Sequence, residues 1–202
     1  MKKLIIPFFA LVSLVLLSWT NESKLAVGDV APNFKLKNVN NELVDLSSYK
    51  TKGAIVIFTC NHCPYAKAYE NRIIQLQEKY KDSYPVIAIN PNDPTNYPED
   101  SFEGMVKQAK KKNYTFPYLH DESQEVAKAY GALKTPHVYL LQKEGESFVV
   151  KYIGAIDNNT YAPQKANEKY VERAIRALDA GAEVQTTTTK AIGCSIKWKE
   201  SK

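Results

Sequence analysis

The chain has 202 residues, 44% hydrophobic and 24% charged, enough for one well-buried domain with ends and too few for two of the usual size. That balance excludes a disordered or fibrous chain. A formal charge of +5, evenly spread, excludes a nucleic-acid binder.

Residues 1–22 stand apart. MKK is followed by an uncharged run from Leu4 to Trp19 and then by the polar TNESK, the positive-then-apolar order of a secretory signal. The run is short of the roughly 20 residues that cross a bilayer comfortably. A cleaved signal is therefore expected, with export to the periplasm or another extracytoplasmic space. The nearest small-residue cleavage site, Ser18-Trp19-Thr20, is a poor one, so a retained N-terminal anchor is the alternative and the only expected contact with a membrane. Loss of Lys2 and Lys3 would leave a charge of about +3.

From Ala31 to Lys50 apolar and polar residues alternate around Asn40-Asn41, which predicts a hairpin. AIVIF, Ala54 to Phe58, predicts a strand buried on both faces. Ala66, Tyr69, Ile73, Leu76 and Tyr80 then recur at helical spacing, an amphipathic helix. PVIAIN, Pro85 to Asn90, predicts the next buried strand. PNDPTNYPED after it is too rich in proline and aspartate for regular structure. A helix is expected from about Glu99 to Lys112; its basic run KQAKKKNY is a solvated face opposite Phe102, Met105, Val106 and Ala109. FPYLHD leads into a short helix, SQEVAKAYG, with Ser123 as N-cap and Gly131 as the stop. VYLL and FVVKYI, Val138–Leu141 and Phe148–Ile153, flank a glycine turn and predict a second hairpin. A last helix is expected from about Ala166 to Leu178, with Tyr170, Ala174 and Leu178 on one face. The order predicts an α/β domain over residues 25–179, a mixed sheet covered by helices. Residues 180–202 lack clear periodicity and are expected to form a tail carrying Cys194.

FTCNHCPY, Phe58 to Tyr65, holds the chemistry. Cys60 lies between a buried strand and a helix, where unpaired first-turn N–H groups and the helix dipole favour thiolate over thiol. His62 adds a donor and, when protonated, a positive charge, so both are expected to lower the Cys60 pKa. Cys63, one turn on, is placed to attack a mixed disulfide formed at Cys60. A purely structural link across so small a loop would remove little chain entropy. A metal clip of Cys60, Cys63 and His137 is the rival reading, since two thiolates and an imidazole suit copper(I) or zinc. Inert thiols are the third.

VGDVAPNFKLKN, the strand into C-x-x-C, the helix after it and KTPHVYLL together resemble the thioredoxin superfamily. The resemblance is to its redoxin branch of exported thiol-disulfide oxidoreductases and alkyl hydroperoxide reductase/thiol-specific antioxidant relatives, and it covers Leu25 to Leu178. It implies a thioredoxin-like sheet with an N-terminal hairpin extension, Cys60 as nucleophile and Cys63 as resolving thiol. It also implies a Thr135-Pro136 loop whose cis proline faces the active site and offers Thr135 backbone groups to a partner segment. No cofactor is implied; the partners would be protein thiols or disulfides and a thiol reductant or oxidant. The chain departs from thioredoxins, which usually carry tryptophan and Gly-Pro where Thr59 and Asn61-His62 stand. It also lacks the P-x-x-x-T-x-x-C pattern of standard peroxiredoxins, so a thiol peroxidase is the further alternative. Cys194 is the odd cysteine of an exported chain. Fourteen extended residues from Ala180 reach on the order of 45 Å, enough to bring it back to the active site, with Ile196 and Trp198 available to dock it.

Overall fold

The computed structural model describes residues 24–200; the expected signal or anchor lies outside them. Strands β1 (Lys35–Asn38) and β2 (Leu43–Asp45) form the N-terminal hairpin. They precede β3 (Gly53–Phe58), α1 (Pro64–Tyr80), β4 (Val86–Asn90), α2 (Phe102–Lys112), β5 (Tyr118–His120) and α3 (Glu125–Tyr130). A two-residue β6 (Lys134–Thr135) leads into β7 (His137–Glu144), β8 (Ser147–Gly154), α4 (Tyr170–Asp179) and β9 (Cys194–Ser195). Seven strands make one mixed sheet in the order β2-β1-β5-β4-β3-β7-β8, while β6 and β9 pair separately. This is the α/β, thioredoxin-like arrangement with an N-terminal hairpin that the sequence predicts. Among the described residues no helix is long and apolar enough to cross a membrane.

All six residues of β3 are buried because both faces of the sheet are covered. Ile55 and Ile57 join one core with Tyr69, Ile73 and Leu76 of α1, Met105 of α2 and Val171 and Ile175 of α4. Ala54, Val56 and Phe58 join the other, with Ala127 and Tyr130 of α3, Leu25 and Phe34 of the N-terminal segment, and Ile196. The inward stripe predicted for α1 is the one observed, with Ala66, Tyr69, Ile73, Leu76 and Tyr80 all buried.

The differences in element ends have local causes. Pro98–Asp100 forms a 3-10 turn, and α2 starts only at Phe102, where the Ser101 hydroxyl accepts the Gly104 N–H. Pro163–Lys165 is another such turn, so α4 begins at Tyr170 rather than near Ala166. Gln124 in the left-handed conformation, not Ser123, sits at the cap position of α3. The Asp121 carboxylate accepts the N–H groups of Val126 and Ala127 there. Gly131, at φ 64°, ends that helix as expected. The FPYLHD segment, expected only to lead into α3, supplies β5, parallel to β4 and antiparallel to β1.

Residues 187–199 pack back across the body. Ile153 N–H donates to Thr187 O and Thr189 N–H to Ile153 O, both 3.0 Å, covering the far end of the β8 edge, whose earlier part is bonded to Gly28, Asp29 and Ala31. Farther on, Ile196 N–H donates to Leu133 O and Asp93 N–H to Lys197 O. Asn92 Oδ1 accepts the Lys197 N–H, Gln124 Nε2 donates to Lys197 O, and Gln124 Oε1 accepts the Lys199 N–H. Of the two docking residues the sequence offers, Ile196 is buried and Trp198 is 39% exposed.

Candidate active site

Parallel strands β3 and β4 end on the same edge of the sheet, so the segments that follow them, Thr59–Cys63 and Pro91–Ser101, meet there. Strand β7 runs antiparallel to β3 and starts opposite its last residue, Phe58 pairing with His137. Thr135 and Pro136, joined by a cis peptide bond, are thereby brought against Cys60.

Cys60 is a free thiol, 5% exposed. Its Sγ lies 3.1 Å from Thr135 Oγ1, and the Cys63 backbone N–H and the Asn92 side chain also favour its thiolate. Burial and the nearby Asp100 carboxylate outweigh these donors and push the Cys60 pKa up to about 11. The lowering expected from the sequence is therefore reversed. The helix start is where the sequence places it, but it is Cys63 that occupies the N-cap of α1, and Cys60 lies three residues before it, buried beside Asp100.

Cys63, with no exposed surface, is bonded to Cys194 in a disulfide whose Cα atoms are 6.1 Å apart across 131 residues of sequence. This overturns the expected mechanism. A dithiol cycle with Cys60 as nucleophile and Cys63 as its resolving partner requires those two to pair, and Cys63 is instead paired with the distant Cys194. The pairing of β9 with β6, Thr135 opposite Cys194, sets the geometry. Gly193 allows it: a Cβ there would lie 2.2 Å from Thr135 O, a contact no side chain tolerates. Cys63 Sγ is itself 3.4 Å from Thr135 O, so Thr135 faces both Cys60 and Cys63.

The metal clip of Cys60, Cys63 and His137 is not assembled either. The Cys63 sulfur is taken up by the disulfide, and buried His137 turns toward Tyr139, with Nδ1 3.5 Å from its hydroxyl. Desolvation, helped by Lys24, holds the His137 pKa down to about 4. The group that does come together among the described residues is Cys60, His62 and Asp100, with one ligand-type atom from each within 4.8 Å of the others.

Asp100 is absent from the sequence reading, and it organises the site. Wholly buried, it takes the N–H groups of Asn61 and His62 on Oδ1, at 2.6 and 3.2 Å. On Oδ2 it takes Asn92 Nδ2 at 2.8 Å and faces His62 Nδ1 at 2.5 Å. Tyr118 steadies the segment by donating its hydroxyl to Asn61 Oδ1 at 2.9 Å. Tyr97 stacks on the imidazole, ring centroids 3.9 Å apart. The signal for Asp100 was topological: acidic residues in the loop after β4 must lie beside the motif that follows β3.

The AhpC/TSA family model matches residues 27–156. The chain belongs to the AhpC/TSA family. A member of this family is a thiol-based redox enzyme of the thioredoxin superfamily and works with a thiol redox partner. The chain is 30% identical over 131 residues to the thiol-disulfide oxidoreductase ResA of Bacillus thuringiensis subsp. konkukian, covering 63% of this chain and 70% of that one. It is 31% identical over 159 residues to the chloroplastic peroxiredoxin Q of Triticum aestivum, covering 70% and 63%. The solved structure of an uncharacterized conserved protein from Geobacillus kaustophilus superposes with a TM-score of 0.80 at 37% identity, over 89% of this chain and 96% of that one.

Proposed function

We propose that this AhpC/TSA protein is a peroxiredoxin-like thiol peroxidase in which Cys63 reacts with the peroxide and Cys194 resolves it. The observation that carries this reading is the Cys63–Cys194 disulfide, the product such a cycle leaves. Cys63 is assigned the nucleophile's role because it occupies the N-cap position of the 17-residue helix α1, at the positive end of the helix dipole, which favours a thiolate. Its thiolate attacks one peroxide oxygen, the O–O bond breaks, and the alcohol or water leaves with the second oxygen. Cys194 then attacks the Cys63 sulfenic acid and expels water. A thiol reductant restores both thiols by exchange, and it attacks Cys194, the more exposed of the two residues, so that Cys63 departs as the thiolate at the helix N-terminus. Thr135 and Pro136 form the loop along which these partners align.

We place this activity outside the cytoplasm. The signal-like residues 1–22, the resemblance to exported redoxins and a disulfide that persists in an oxidising compartment support that location. The test is peroxide consumption driven by an excess of a small dithiol. Cys63→Ser and Cys194→Ser should each abolish turnover, and peroxide-treated Cys194→Ser should carry a sulfenic acid on Cys63 that a cyclic 1,3-dione traps. Wild-type turnover in either variant would sink the reading.

A further inference from the structure

Cys60 takes no part in the disulfide, and neither His62 nor Asp100 stands in any step of the proposed cycle. The fold nevertheless gathers the three. The Cys60 sulfur, a ring nitrogen of His62 and a carboxylate oxygen of Asp100 all lie within 4.8 Å of one another. Two of them follow β3 and the third follows β4, so neighbouring parallel strands of the sheet hold the group from two sides.

Each member is also oriented by groups outside the trio. The Asn61 and His62 N–H groups and the Asn92 amide donate to the wholly buried Asp100 carboxylate. Tyr97 stacks on the imidazole, the planes 18° apart, and Thr135 Oγ1 lies 3.1 Å from the Cys60 sulfur. Side chains that fix a ligand's direction in this way are the usual surroundings of a bound metal ion.

We propose that Cys60, His62 and Asp100 form a binding site for a divalent metal ion of the zinc class. The donor set selects the ion. One sulfur and one nitrogen are too soft for calcium or magnesium, which take oxygen. A single thiolate is too little sulfur for copper(I). Thiolate, imidazole and carboxylate are the three zinc ligand types, and three protein ligands leave a fourth position for water or a small anion. Thiolate and carboxylate together neutralise a doubly charged ion, and the imidazole binds through a lone pair. The Cys60 proton leaves to solvent as the sulfur takes up the ion. Ligand atoms of a tetrahedral zinc stand about 3.3 to 3.8 Å apart, which side-chain shifts of about an ångström supply here. The way in is past Tyr97, a half-buried ring in a turn whose other residues, Thr95, Asn96, Pro98 and Glu99, are exposed.

The test uses the oxidised, untagged full-length chain, stripped with a chelator, in which Cys60 is the single free cysteine. Cobalt(II) chloride is titrated in as a coloured stand-in for zinc. Wild type should take up one cobalt per chain with a near-ultraviolet thiolate-to-cobalt charge-transfer band and the strong visible bands of four-coordinate cobalt, and zinc chloride should abolish both. Cys60→Ser should lose the charge-transfer band. His62→Gln and Asp100→Asn should each weaken binding by at least about tenfold. The proposal fails if wild type shows no charge-transfer band at millimolar cobalt, if Cys60→Ser keeps that band, or if His62→Gln binds as wild type does. Should Asp100→Asn unfold, His62→Gln decides. The readout uses neither Cys63 nor Cys194. A chain that consumes no peroxide can therefore still bind cobalt, and one that binds none can still consume peroxide.

Discussion

The central sheet and the C-terminal segment are tied into the molecule by different forces. Strand β3 has no exposed residue, and its side chains alternate between two apolar cores. Residues 187–199 bury one large apolar side chain, Ile196, and are otherwise held by hydrogen bonds from β8, Leu133, Asn92, Asp93 and Gln124 and by one disulfide. The sheet depends on burial, roughly 25 cal/mol per Å² of apolar surface, and is indifferent to redox conditions. The segment depends on a covalent bond that a thiol can open, and its attachment is therefore a chemical variable.

Opening that bond is the sharpest way to separate the two regions. Cys194→Ala removes a link spanning 131 residues and should cost about 4 kcal/mol of unfolding free energy, mostly by freeing the denatured chain. Hydrogen exchange should then speed up at the amides of Ile196, Lys197 and Lys199 before any change in β3. Ile57→Ala, at a fully buried position, should cost about 3 kcal/mol with no such selectivity. Equal acceleration in both regions by Cys194→Ala would erase the distinction.

Acid probes the sheet instead. Burial holds the His137 pKa at about 4, below its ordinary 6.5, so the folded state favours the neutral ring. The native structure therefore loses stability as pH falls from 6.5 toward 4, by up to about 3 kcal/mol from this group. Urea titrations at pH 7 and pH 4 should show a smaller acid loss for His137→Gln than for wild type. Equal losses would mean that the ring escapes protonation by moving to water.

The smallest expected effect lies at the polar clamp. Gln124→Ala removes hydrogen bonds to Pro91, Lys197 and Lys199. A cost of about 2 kcal/mol is expected from the stranded partners, with faster exchange at the Lys199 amide. A variant as stable and as protected as wild type would show that the disulfide alone holds the segment.

The same contrast explains what could be read from the sequence. AIVIF, PVIAIN and the stripe from Ala66 to Tyr80 announce themselves because burial imposes a period on the chain, and the hairpins do so through Asn40-Asn41 and Gly145. β5 escaped because a three-residue strand has no room for a period. The C-terminal segment escaped because its contacts run from single backbone groups to Asn92 and Gln124, about 70 to 105 residues away, and leave no local pattern. Cys60 and Cys63 were legible as a redox motif, but their pairing was not. Two thiols in one motif invite pairing with each other, and only the return of Gly193-Cys194 against Thr135 shows why Cys63 pairs elsewhere. Asp100 was hidden in the same way, 38 residues from His62.

The hydrogen bonds on the far side of Cys194, at Ile196, Lys197 and Lys199, have a kinetic consequence. They do not involve the sulfur, so when the disulfide breaks they loosen, as the faster exchange reads, but still tether the segment and hold the freed Cys194 thiol near Cys63. Confinement of this kind raises the effective molarity of the resolving thiol by orders of magnitude over a free tail. On the proposed cycle, the Cys63 sulfenic acid would be short-lived and a second peroxide would seldom find it. Protection from irreversible over-oxidation would then rest with the amides of Asn92 and Gln124, neither of which hydrogen-bonds to Cys63 or Cys194.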